Sequence, residues 1–229
     1  MNKLTLRKIH RWLGFIAGIQ LLAWTVSGLY FTIIPIEEIR GGHLLTKEAE
    51  PLLLADANLI SASSLVERYS ELTDVSLSDV RLVSVLGIPV YLMGESRFDA
   101  QSGAKLGPIS EAQARAVVAA RSDTKVRDVE YVERVETDSE YRGGELPAWR
   151  LTLEGDENAA LYVGTQTGRI RAVRTDAWRW FDLLWSLHIM DYEAREDFNH
   201  LLIQVMAVLG LVTVISGLVL FFLTLRIRR

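Results

Sequence analysis

Residues 1–31 read MNKLTLRKIHRWLGFIAGIQLLAWTVSGLYF. His10 stands among Arg7, Lys8 and Arg11, at the mouth of a long apolar run. From Leu13 to Ile36 there is no charged residue, and the same holds from Leu201 to Leu225. A helix of about 20 apolar residues crosses a hydrocarbon core of about 30 Å, so each run is long enough to span a membrane. The first run is too long for a signal-peptide core, and no small-x-small cleavage site follows it. It reads as an uncleaved anchor. The placement of His10 then raises a question: it either meets lipid headgroups or holds something inside the membrane.

Charge is sorted along the chain. Of 229 residues, 49% are hydrophobic, and all 29 acidic residues lie between Glu37 and Asp197. The ends carry Lys3, Arg7, Lys8, Arg11, Arg226, Arg228 and Arg229, a charge of +7. The middle holds 18 Lys and Arg against 29 Asp and Glu, a net −11. Basic residues beside short ends mark the cytoplasmic side, so both termini are expected there, with the acidic middle outside. An acidic middle argues against nucleic acid as a partner. The absence of cysteine excludes disulfide staples and thiolate chemistry. No glycine-rich phosphate loop and no H-E-x-x-H motif is present.

The middle repeats itself. SASSLVERYSEL (61–72) reads as an amphipathic helix, followed by strands at DVRLVSV (79–85), IPVYLMGES (88–96) and RFDAQSGAKLG (97–107). ISEAQARAVVAAR (109–121) is a second helix, N-capped by Ser110, with Ala112, Ala116, Ala119 and Ala120 as a small-residue face. Strands at 128–135, 146–154 and 160–173 answer the first set. Gln166–Gly168 matches Gln101–Gly103 as a Q-[ST]-G turn, and LP at 146–147 matches IP at 88–89. One copy is too small to bury much core, so the two are expected to pack together.

PAWRLTLE followed by ALYVGTQTGRIRAV resembles the PepSY domain, although Gly164 stands where that pattern has an acidic residue before the turn. HRWLGFIAGIQLLAWTVSGLYF, with its S-G-L-x-F end, is similar to the PepSY-associated transmembrane helix. WSLHIMDYEAREDFNHLLIQ, with a second ISGL beyond it, resembles the closing segment of the same family. The expected fold is an α+β membrane protein. Two transmembrane helices flank an extracytoplasmic domain of two tandem PepSY-like repeats, each a helix plus antiparallel strands. The expected order is a basic tail (1–12), a first span (13–36), a connector (37–58), repeat one (59–107) and repeat two (108–175). An amphipathic aromatic helix (176–200), a second span (201–225) and a basic tail (226–229) complete it. The resemblance implies the bacterial inner membrane.

The four histidines, His10, His43, His188 and His200, all lie near an expected membrane boundary and outside the strands. They are the candidate cofactor ligands, with His188 and His200 the candidate metal pair. Haem b fits neutral imidazoles beside small residues, here Gly14, Gly18, Gly28, Ala207, Gly210 and Gly217. The competing readings are plainer: headgroup contact for His10, a loop residue for His43, helix packing for Gly14-x-x-x-Gly18, and an interfacial belt for Trp178, Trp180 and Trp185. A continuous helix would set His188 and His200 about 18 Å apart, so sharing a metal needs a chain break near MDYEARED. Two helices cannot enclose a porphyrin, so haem implies a homodimer or a partner membrane subunit, in contact with lipid. The resemblance implies electron transfer linked to reduction of ferric iron or siderophores. The alternative is a membrane-anchored PepSY binding or regulatory module, acting in protease inhibition or interaction, without a cofactor.

Overall fold

The structure is a computed structural model that describes residues 3–47, 58–155 and 157–225. Residues 48–57 of the expected connector and the C-terminal basic tail lie outside the described residues. The chain forms two compact units. One comprises Met1–Ile36 with Arg179–Arg229, the other Glu37–Trp178.

The first unit is helical. Helix α1 runs Lys3–Ile33 without interruption, so residues 3–12, expected as a tail, are its first turns. It stops just before Pro35, which lacks an N–H donor and pushes its predecessor out of the helical region. A second long helix covers Leu201–Leu225, and both are long and apolar enough to cross a membrane. His10 meets Gly217 while Leu21 meets Gly210, so the contacts climb one helix as they descend the other. The two helices are therefore antiparallel neighbours. Gly210 admits the Leu21 side chain, and the buried Ala17 lies between these contacts, as close helix approach in a membrane requires.

The second unit opens with a short helix α2 (Ile36–Ile39), which straddles the boundary between the units, and contains two similar assemblies. Helix α3 (Ala62–Arg68) precedes strands β1 (Val80–Val85), β2 (Ile88–Met93), β3 (Ser96–Asp99) and β4 (Lys105–Leu106). Helix α4 (Glu111–Ala119) precedes β5 (Val126–Val132), β6 (Ala148–Leu153), β7 (Ala160–Gly164) and β8 (Ile170–Arg174). Each set of four strands is an antiparallel meander in sequence order. The Ser110 hydroxyl accepts from the Gln113 N–H while the Gln113 side chain accepts from the Ser110 N–H, so α4 starts on a reciprocal cap. The buried face of α4 is Ala114, Val117 and Val118. Ala112, Ala116, Ala119 and Ala120, the small-residue face, are exposed. One core joins the two sheets: Val83, Val85, Val90 and Leu92 from the first meet Leu151, Leu153, Leu161 and Val163 from the second, with α4 alongside. Beyond β8, α5 (Asp176–Ile189) leads back to the helical unit.

The matched turns are built alike, with one exchange of parts. Gly103 and Gly168 both take positive φ, 73° and 61°, where a side chain would be strained. In the first turn the Asp99 carboxylate accepts from the N–H groups of Gln101 and Ser102 and from the Ser102 hydroxyl. These bonds, the Ser102 N–H foremost, hold its pKa below the usual carboxylate range. The second turn has Gly164 in the place of Asp99. There Glu145, from the preceding loop, accepts from the N–H groups of Gln166 and Thr167 and from the Thr167 hydroxyl. A Cβ on Gly164 would stand 2.3 Å from the Glu145 carboxyl carbon. The glycine therefore makes room for a carboxylate that arrives from elsewhere in the chain.

This exchange predicts a rescue. Glu145→Ala should destabilise the protein by about 1–3 kcal/mol by stripping three partly buried donors of their acceptor. Gly164→Asp alone should also destabilise, by collision with Glu145. The double variant should be more stable than the sum of the two losses predicts. Chemical denaturation of the four proteins measures the coupling, and strict additivity would contradict the exchange.

Candidate functional site: two serine-held histidines

Two of the four histidines sit on the long helices or against them in matching arrangements. His10 on α1 places Nδ1 2.7 Å from the hydroxyl of Ser216 on α6, the Leu201–Leu225 helix. His188 near the end of α5 places Nδ1 2.7 Å from the hydroxyl of Ser27 on α1. Each serine belongs to an S-G-L triplet, Ser27-Gly28-Leu29 or Ser216-Gly217-Leu218.

The bonds that the serine hydroxyls make to their own helices favour one imidazole tautomer. Ser216 Oγ donates to the Thr213 carbonyl at 2.8 Å, and Ser27 Oγ donates to the Ala23 carbonyl at 2.8 Å. A hydroxyl has one proton to give. With that proton on a helix carbonyl, each serine oxygen accepts from the histidine, so Nδ1 carries the ring hydrogen. Nε2 keeps its lone pair. The bond made by one ring nitrogen thus selects the other as the one available to a metal.

The surroundings hold both rings. A Cβ on Gly217 would lie 3.2 Å from Cε1 of His10, so the glycine beside Ser216 clears space for the ring. Trp24 Nε1 donates to the His188 carbonyl at 2.6 Å, and Gln20 Nε2 donates to the Leu187 carbonyl at 3.3 Å. Trp185 stacks on His188 with 6.3 Å between centroids and 7° between planes, and Phe31 meets the same ring edge-on at 5.6 Å. Burial lowers the His188 pKa, which favours the neutral ring. Ser27 lies 17 residues beyond His10 on one continuous helix, a rise of about 26 Å. The two pairs are therefore separated by nearly the thickness of a hydrocarbon core.

The break that would let His188 and His200 approach is present. α5 ends at Ile189, Met190 has φ of 59°, and α6 begins at Leu201. Asp191 caps the intervening loop by accepting from the N–H groups of Glu193, Glu196 and Asp197. Asp182 and Arg195 form an ion pair between α5 and this loop, and Trp185 Nε1 donates to the Arg195 carbonyl at 3.1 Å. His200 Nε2 lies 2.9 Å from the Ile189 carbonyl, next to His188 in the chain. His43 belongs to the Glu37–Trp178 unit, where the Glu157 carboxylate takes its Nε2 at 3.0 Å. Among the described residues no three His, Asp or Glu side chains cluster as a metal site. The candidate glycines divide. Gly210 and Gly217 accept neighbouring side chains, whereas Gly14, Gly18 and Gly28 face open space. Ser27 and Ser216 were not among the candidate residues of the sequence, although the recurring S-G-L was a signal for them.

A family model described as the PepSY-associated TM region matches residues 7–229. No curated protein and no solved structure matches the chain.

The serine hydroxyls should matter to packing even without a ligand. Ser27→Ala leaves the His188 Nδ1–H without its acceptor, at an expected cost of about 1–3 kcal/mol. Ser27→Thr keeps the hydroxyl and should lose less. Thermal unfolding of the full chain in mild detergent compares them, and equal stability of Ser27→Ala and the parent would refute the bond.

Proposed function

Because the chain belongs to the PepSY-associated transmembrane family, we propose that it is a haem-b electron-transfer protein of the bacterial inner membrane. Both termini face the cytoplasm in this proposal, and the electrons support reduction of ferric iron or a ferric siderophore in the periplasm. The observation that carries it is the pair of imidazoles on Ser216 and Ser27, each without a hydrogen-bond partner at Nε2 among the described residues, about 26 Å apart along α1.

These residues fit the group. A b-type haem would be held by neutral imidazole nitrogens, and ligating histidines commonly donate their other N–H to an oxygen. His10 would serve the cytoplasmic end, and His188, with His200 beside its chain neighbour Ile189, the opposite end. When bound, haem supplies a one-electron iron couple whose potential follows from ligands, hydrogen bonds and burial. The chain's own residues do the rest. Ser27 and Ser216 hold ring orientation and tautomer, Trp185 and Phe31 shield His188, and burial favours the neutral form of that imidazole. Two long helices and α5 do not surround a macrocycle. The proposal therefore includes a second copy of the chain or a partner membrane subunit, for which the open sides of Gly14, Gly18 and Gly28 leave room.

Reduced-minus-oxidised absorption of the protein purified in mild detergent from haem-replete cells tests this. A sharp α band of a low-spin b-type haem is expected, with loss of signal in His10→Ala or His188→Ala. His43→Ala should leave the band unchanged, because Glu157 occupies that ring. A flat spectrum, repeated after haem reconstitution, would overturn the proposal in favour of the cofactor-free binding module.

A further inference from the structure

The core layer between the two sheets ends in charge. On β1, β2 and β3, Arg81 pairs with Leu92 and Leu92 pairs with Arg97, so the three form one row across the sheet. Side chains directly opposite across strands share a face. This row therefore continues the face that carries Val83, Val85 and Val90, but replaces the core pattern with arginine on either side of a leucine. The second sheet contributes Arg171 from β8, and its loops contribute Glu145, Leu146 and Pro147. Between them lies a cleft of about 510 Å³. That volume falls in the range of small-molecule sites.

Its charges are unequally committed. Both Glu145 oxygens are occupied by the turn at Gln166 and Thr167, and Arg171 Nε stands 3.8 Å from one of them. Arg97 is 4% exposed and donates Nη1 to the Gly107 carbonyl at 2.6 Å. Its buried Nε has no hydrogen-bond partner among the described residues. A buried guanidinium is costly unless negative charge is near. Glu145 offsets that cost in part, working against the burial that lowers the Arg97 pKa. Arg81 and Arg171 are exposed at the cleft, and Glu95 is the second carboxylate on its lining. On the lining, Arg81 and Arg171 face solvent while Glu145 is taken up by its turn, and the buried Arg97 adds positive charge in the same strand row as Arg81 and Leu92. The unit as a whole is acidic, for residues 37–178 hold 16 Lys and Arg against 24 Asp and Glu.

We infer that this cleft binds a small organic dicarboxylate, its acid groups on Arg81 and Arg171 and its carbon chain over Leu92, Leu146 and Pro147. Guanidinium groups pair with carboxylates through two parallel hydrogen bonds. The apolar floor favours an anion with a hydrocarbon body over a bare inorganic one. None of the four histidines takes part, so the site stands or falls separately from the haem proposal.

Calorimetric titration of the full chain in detergent with adipate tests the site, with adipamide and inorganic phosphate as comparison ligands. Adipate should bind saturably, and both comparison ligands should not. Arg81→Ala and Arg171→Ala should each weaken adipate by about tenfold or more. Both positions are exposed, so the melting temperatures should stay at the parent value. Equal binding of adipamide would remove the role of charge, and equal binding of phosphate would remove the role of the floor. Either result overturns the inference, as would unchanged affinity in both arginine variants or no saturable heat with adipate.

Discussion

A polar ring among membrane helices must find its hydrogen bonds inside the protein, because the hydrocarbon core has no water to offer. In this chain a single device meets that requirement twice: a serine gives its proton to its own helix and its lone pair to a histidine of another segment. The rest of the helical unit is arranged around these two bonds. Gly217 makes way for His10, Gly210 brings the helices together at Leu21, and Trp24 and Gln20 tie the end of α5 to α1. The loop from Met190 to His200 then folds back under its Asp191 cap and its Arg195–Asp182 pair. An ionisable residue kept at such a position is expensive unless it is used. A neutral imidazole with one nitrogen held and the other bare has the form that metal coordination needs.

The same physics operates in the sheet unit. Backbone N–H groups at the tight turns need an acceptor, and the chain supplies a carboxylate to each. One comes from the strand itself, Asp99. The other crosses from the loop, Glu145, into a space that only a glycine leaves open. The crossing carboxylate also shapes the cleft, because it becomes part of the wall facing Arg81 and Leu92. Structural satisfaction of one turn and the charge pattern of the cleft are thus linked through one side chain.

Much of this was legible in the residue order. The two uncharged runs announced the long helices, and the repeated Q-[ST]-G turn announced two like assemblies, because a positive-φ glycine is a local demand that leaves a local mark. Ser110 was visible as a helix N-cap for the same reason, while its reciprocal bond with Gln113 came from the structure. Long-range pairings left weaker marks. His10 and Ser216 are 206 residues apart, His188 and Ser27 161, and Glu145 and Gln166 21. Gly164 read as a missing acid because nothing local shows that a carboxylate from another loop fills its place. The alanine face of α4 gave no direction, because alanine is tolerated on either side of a helix, whereas Val117 and Val118 are what the core recruits. His43 resembled the other three in sequence, and only the fold pairs it with Glu157.

The central claim is that two serines set two histidines in one tautomer. Nitrogen-15 NMR of the full chain, labelled at histidine and held haem-free in detergent above the imidazole pKa, reads this directly. Single-histidine variants would assign the signals. His10 and His188 should each show a protonated Nδ1 and an unprotonated Nε2. Protonated Nε2 in either ring, or shifts averaged between tautomers, would contradict the account.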